Sequence, residues 1–148
     1  MGSDRMSNRA LGRATLARQS LLSRSDASAL DMIEHLCGLQ AQAPAPPYFA
    51  LWARLTRFRA ESLSDLIENR AVVRMVAMRG TVFALSASDA LSFRPLTQPL
   101  LDRDLHTNTQ YRSSLDGIDL GALAAAGREL VRDEPRTQSQ MRPCSRSG

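Results

Sequence analysis

Apolar residues fall into short helical stripes over the first half of the chain and then switch to a strand-like run. From Arg9 to Leu22, the residues Leu11, Ala14, Leu16, Ala17, Leu21 and Leu22 permit a helix, with Arg18 and Gln19 beside its last turn. Ala29, Met32, Ile33, Leu36 and Cys37 then fall at i, i+3, i+4, i+7 and i+8, the spacing of one buried helical stripe, and Ser25 or Asp26 can cap it. Gly38 lowers helix propensity near its end, and Pro44, Pro46 and Pro47 stop the backbone continuing in register. Pro46 or Pro47 can occupy the first turn of a new helix, where a missing amide proton costs nothing. Tyr48, Leu51, Trp52 and Leu55 repeat at helical spacing, with Phe49 on a flank and Phe58 just beyond. This concentration of aromatic residues predicts that the segment supplies the bulky centre of the core.

Ser62 and Asp65 make a capping-box-like pair, and Leu63, Leu66 and Ile67 form the face of a short helix ending near Asn69 and Arg70. Residues 71–78 are β-prone, Arg79 and Gly80 offer a turn, and residues 81–85 are β-prone again. Short helices followed by a hairpin predict a mainly α fold with a small β-hairpin. The order is that of a winged helix-turn-helix, and other small α+β domains share it. Further on, Ser88 or Asp89 can start a helix that Pro95 and Pro99 interrupt, and residues 100–112 read as helix or connector. Asp116 and Gly117 signal a turn, Asp119 caps a helix from Leu120 to Val131, and Glu134 and Pro135 close it. The expected organisation is a disordered lead over 1–8, a winged-helix domain over 9–87, a helical continuation over 88–135, and a disordered tail over 136–148. The continuation carries an apolar face with little left in the chain to pack against. A chain cut short by a shifted reading frame or a premature stop would look like this.

Charge sharpens the picture less than its total suggests. All 19 basic residues are arginine and the formal net charge is +4. Residues 1–24 hold a net +4 and residues 136–148 a net +3, whereas residues 25–135 sum to −3. Basicity is therefore terminal, and a duplex-binding surface would need arginines converging from separate elements. No window approaches a membrane span and no signal-like leader is present, so a soluble, cytoplasmic protein is expected. Cys37 and Cys144 belong to no metal-ligand pattern, and neither His35 nor His106 has a liganding or nucleophilic neighbourhood. No metal, cofactor or membrane partner is expected, and the oligomeric state is left open.

Three short segments carry a resemblance. Arg18 and Gln19 are followed by Leu21 and Leu22; Gly38 opens a Gly-Leu-Gln-Ala-Gln-Ala-Pro run with Pro-Tyr-Phe-Ala-Leu-Trp after it; and residues 72–83 read Val-Val-Arg-Met-Val-Ala-Met-Arg-Gly-Thr-Val-Phe. In order and spacing they resemble the winged-helix family of bacterial DNA glycosylases that act on alkylated bases and unhook interstrand crosslinks. The resemblance runs from about Arg13 to about Arg136 and corresponds to the N-terminal part of such proteins. It implies double-stranded DNA as partner, Gln40 and Gln42 as the pair tied to base excision, and Arg18, Arg74, Arg79 and Thr81 as DNA contacts. Phe83 departs from the family pattern, which usually has a histidine there.

The chemistry implied for the glutamine pair is consistent. A purine alkylated at N3 or N7 is already a good leaving group, so its release needs a held water and stabilisation of a cationic sugar more than a strong acid. Two amides can accept hydrogen bonds from that water and turn their carbonyl dipoles toward the developing charge. Without the resemblance, the favoured reading of Gln40 and Gln42 is as side chains satisfying backbone groups where a helix runs into a proline-rich loop. Three functions follow as expectations. They are a glycosylase-like protein weak or inactive at this length, a non-catalytic winged-helix DNA binder, or a truncated product without function.

Overall fold

A computed structural model describes residues 6–141, apart from the side chains of residues 110–112 and 138. Expectations for residues 1–5 and 142–148, Cys144 included, lie outside the described residues. The chain forms two compact units, Met1–Asp102 and Arg103–Gly148.

In the first unit, α1 (Asn8–Arg18) starts at Ser7, whose hydroxyl accepts from the Ala10 amide, and buries none of its residues. The next helix, α2 (Ala29–His35), is capped by Ser28 rather than Ser25 or Asp26. Ser28 and Asp31 form a reciprocal capping box, closing two amide donors that a helix start leaves open. Ala29, Met32 and Ile33 are buried as the stripe predicts. The helix ends before Cys37, which is exposed with a positive φ of 54° and so leaves the apolar face on which it was expected.

A two-residue strand, β1 (Leu39–Gln40), follows and was not foreseen. Pro46 and Pro47 then open α3 (Pro46–Arg54). The fourth helix, α4 (Ala60–Glu68), begins two residues before Ser62, so Ser62 and Asp65 lie inside it and do not cap it. The hairpin forms as expected from β2 (Val72–Val76) and β3 (Val82–Ser86), paired antiparallel with Arg74 opposite Ala84 and Met75 opposite Phe83. Its turn is tight, with Arg79 and Gly80 at positive φ of 56° and 68°. β1 pairs antiparallel with the other side of β3, giving a three-stranded sheet in the order β1-β3-β2. The result is a mainly helical fold whose small antiparallel sheet is consistent with a winged-helix-like arrangement.

The sheet is the middle layer of this unit. Residues paired across a ladder share a face. On one face Leu39, Ala84 and Val72 join Ala29, Met32, Ile33, Leu51, Leu55 and Leu63 from the helical side. On the other, Phe83, Leu85, Val73 and Met75 pack with Ala90 and Phe93 of α5 (Ala87–Thr107). Ser86 rather than Ser88 or Asp89 starts α5, its hydroxyl accepting from the Asp89 amide. Pro95 and Pro99 do not interrupt the helix. They stand four residues apart, on one side of it, and each removes one amide donor without breaking the run.

The core centre is aliphatic, contrary to the expectation for α3. Ile33, Leu51, Leu63, Val72 and Leu85 are its largest fully buried side chains, while Phe49 is 69% exposed and Trp52 57% exposed. Leu55 reaches the core only because α3 has ended at Arg54. Its extended backbone is held by a bridge to Ser25, with Ser25 N donating to Arg54 O and Thr56 N to Ser25 O. Trp52 therefore sits on the flank of the stripe and not at its centre.

The second unit contains the end of α5, then α6 (Thr109–Leu115), α7 (Leu120–Leu130) and the short α8 (Gln138–Met141). Asp119 caps α7 as predicted, accepting from the Gly121 and Ala122 amides. No residue of α7 is buried, and Leu123 and Leu130 are half exposed. Residues 138–141 are helical where a disordered tail was expected.

Candidate functional site

The Gln-Ala-Gln step starts on the last residue of β1 and runs out of the strand, and three separate elements meet on it. Gly38 N donates to Ile33 O at 2.8 Å, turning the chain out of α2. Gly38 has φ +98°, a conformation a side chain would resist. Leu39 and Gln40 then pair with Ala84 and Phe83. At the next position Ala41 N donates to Val82 O at 2.8 Å, but the reciprocal ladder bond is replaced by two side chains. Val82 N donates to Gln42 Oε1 at 3.1 Å, and Arg74 donates from a terminal guanidinium nitrogen to Ala41 O at 2.6 Å. The pair of glutamines is thus carried on a strand end that is braced from β3 by Gln42 and from β2 by Arg74.

The two glutamines are not equivalent. Both are exposed, with buried Ala41 between them. Gln42 accepts the Val82 amide on one lone pair of its carbonyl oxygen, whereas among the described residues the Gln42 amino group and the whole Gln40 side chain have no hydrogen-bond partner. Gln40 lies directly across the ladder from Phe83. Phe83 is 8% exposed and packs under α5 with Ala77, Leu85 and Ala90. No ionisable group is therefore placed at the cross-strand position nearest Gln40.

The arginines expected to meet DNA fall into different roles. Arg74 is occupied in part by Ala41 O, with other guanidinium hydrogens remaining for an anion. Arg79 stands exposed at the tip of the hairpin, free of ion pairs among the described residues. Thr81 donates its hydroxyl to Met78 O at 3.1 Å and so closes the same turn. Arg18 is exposed at the end of α1, distant in sequence from the hairpin, and its carbonyl accepts from His35 Nε2 at 2.9 Å. Gln19 next to it is gripped by Arg54, whose Nε donates to Gln19 O at 2.8 Å and whose terminal nitrogens donate to Gln19 Oε1 and Ala50 O. Burial lowers the Arg54 guanidinium from its ordinary pKa. The Arg-Gln step thereby docks α1 on α2 and α3, a role its sequence did not announce.

In helix-turn-helix proteins the second helix of the pair enters the major groove. Here that position belongs to α4, which carries Glu61, Asp65 and Glu68 and no basic residue. Three carboxylates on one short helix oppose a phosphate surface. Positive charge lies instead at the hairpin tip and beside the end of β1. Among the described residues no group of three or more His, Cys, Asp or Glu is placed to hold a metal, and no helix is long and apolar enough to cross a membrane.

The unit is winged-helix-like, with β1 as an edge strand of its small antiparallel sheet. The model of the family described as DNA glycosylase AlkZ-like matches residues 33–146, and the chain belongs to that family. Among solved structures, the Streptomyces sahachiroi DNA glycosylase AlkZ superposes with a TM-score of 0.53 at 26% identity, over 68% of this chain. The match spans 29% of the AlkZ chain. No curated protein matches the sequence.

Proposed function

We propose that the chain is a duplex-DNA-binding unit of the glycosylase type, in which the end of β1 meets the sugar of an alkylated purine nucleotide. Gln40 is the amide that holds the attacking water. Its carbonyl oxygen is free to accept a hydrogen bond from that water and to face the cationic sugar, while Gln42, anchored to Val82, fixes the strand end and offers its amino group and the one lone pair that Val82 leaves on its oxygen. Arg79 contacts phosphate from the hairpin tip, with Arg18 and the remaining hydrogens of Arg74 as further contacts and Thr81 holding the turn. The observation that carries this reading is the unpartnered, exposed Gln40 amide on a doubly braced strand end.

Base release by these residues alone is slow or absent, and duplex binding is weak. A glycosylase must enclose the base it extrudes. Gln40 and Gln42 stand open to solvent, where bulk water competes for both the amides and the sugar cation. A second reading, duplex binding without base release, is favoured by one observation. Phe83 puts an apolar ring where a hydrogen-bonding histidine would face Gln40.

Single-turnover release from a duplex holding one 7-methylguanine separates the two. Slow release that disappears in Gln40→Ala, with duplex affinity retained, supports the first reading. Salt-dependent binding without release selects the second, and no binding at low salt removes both.

A further inference from the structure

The exposed aromatic cluster at the end of α3 has no part in the site described above. Phe49 and Trp52 are one turn apart and are 69% and 57% exposed, an unusual expense for the only tryptophan in the chain. Together with Tyr48, Phe58 and Ala60 they line an apolar groove of about 310 Å³. The Arg24 guanidinium lies 4.7 Å from the centre of the Trp52 ring, so a cation already sits on its face. The segments bordering the groove, residues 24–26 and 52–61, hold Arg24, Arg57 and Arg59 against the two carboxylates Asp26 and Glu61, their fourth arginine, Arg54, being held by Gln19 and Ala50. Arg57 and Arg59 make only exposed ion pairs, at 4.0 Å with Asp26 and 3.7 Å with Glu61, and Arg24 makes none among the described residues.

We propose that this groove binds unpaired bases of single-stranded DNA, with bases stacking on Trp52 and Phe49 and phosphates lying toward Arg24, Arg57 and Arg59. Flat aromatic faces interleaved with arginines are the chemistry that single strands use, since every base offers a face to stack and every linkage a negative charge. A duplex buries its base faces and cannot use the aromatic rings. A second copy of the chain is opposed by charge, because it would bring two net-positive rims together. The proposal is independent of the role given to Gln40 and Gln42.

Trp52 is its own reporter, as no other tryptophan contributes to the emission. The full chain is titrated at low salt with an oligothymidylate of about ten nucleotides, with a duplex of equal length and with inorganic polyphosphate. Saturable quenching of Trp52 by the single strand, with little from the other two, is expected. The exposed Phe49→Ala variant, its fold checked by circular dichroism, should bind the single strand roughly 5- to 100-fold more weakly. Absence of quenching, equal quenching by polyphosphate, or unchanged affinity in Phe49→Ala overturns the proposal. So does an emission that changes with protein concentration when no DNA is present, which would mark self-association through the cluster.

Discussion

Replacing Gly38 with alanine tests whether the glutamine-bearing strand depends on the turn that delivers it. At φ +98° a β-carbon on residue 38 would collide with Leu85 Cδ2 and stand 3.1 Å from Ala84 O and 3.4 Å from Leu85 Cγ. Neither neighbour can yield cheaply. Ala84 O belongs to the strand that pairs with β1, and Leu85 is fully buried in the cluster under α5. The backbone conformation alone costs about 1–3 kcal/mol for a residue other than glycine, and forcing a methyl into a packed core adds about 1–3 kcal/mol. A loss of roughly 2–6 kcal/mol is large against the ~5–15 kcal/mol by which a domain is stable. For a unit of this size it lowers Tm by about 10 °C or more. Gly12→Ala is the control, because nothing lies within 4 Å of its added carbon and α1 gains helix propensity there. Thermal unfolding followed by circular dichroism reads both. A Gly38→Ala variant melting within about 2 °C of the parent would refute the close approach of the turn to β3.

Two further outcomes follow from the brace around Ala41 and a third from the hairpin tip. Gln42→Ala leaves the Val82 amide without its acceptor and should cost about 1 kcal/mol in urea unfolding, whereas an inert Gln42→Ala would mean that the 3.1 Å bond is not held in solution. Arg74→Met should loosen the strand end by about 1–2 kcal/mol, discounted for the exposure of the guanidinium. Its specific sign is faster hydrogen exchange at Ala41 and Val82, and unchanged exchange there would deny the brace. Arg79→Gly relieves a positive φ while removing a charge. Tm should not fall, and the slope of duplex affinity against salt should drop by about 0.9; an unchanged slope would take Arg79 out of the interface.

The elements with strong local chemistry were legible from the sequence. The α2 stripe, the proline start of α3, the hairpin with its Arg79–Gly80 turn and the Asp119 cap all form where residue pattern placed them. What escaped depended on tertiary partners. β1 is two residues long, too short to show a period, and exists because β3 offers it an edge. The α3 stripe reads Trp52 as core because helical spacing gives a face and not its width; the aliphatic packing of Leu51, Leu63 and Val72 closes before the ring. α5 survives two prolines that a local rule treats as stops. At the site, Gln40 and Gln42 were singled out by family resemblance, but the difference between them comes from Val82, forty residues on from Gln42. The resemblance implies a phosphate contact for Arg74, and only the three-stranded order brings it to Ala41 O. Nothing in the sequence connects Phe83 with Gln40, and the ladder makes them neighbours.

Whether DNA meets this chain at the end of β1 and the hairpin tip can be read from an amide shift map. The ¹⁵N-labelled chain is titrated at low salt with a duplex containing one alkylated purine. The largest changes are expected at Gln40, Ala41, Gln42 and Arg79, with α4 little affected. Changes concentrated on α4, with the β1 end and the hairpin tip unmoved, would contradict this placement and return the acidic helix to the groove.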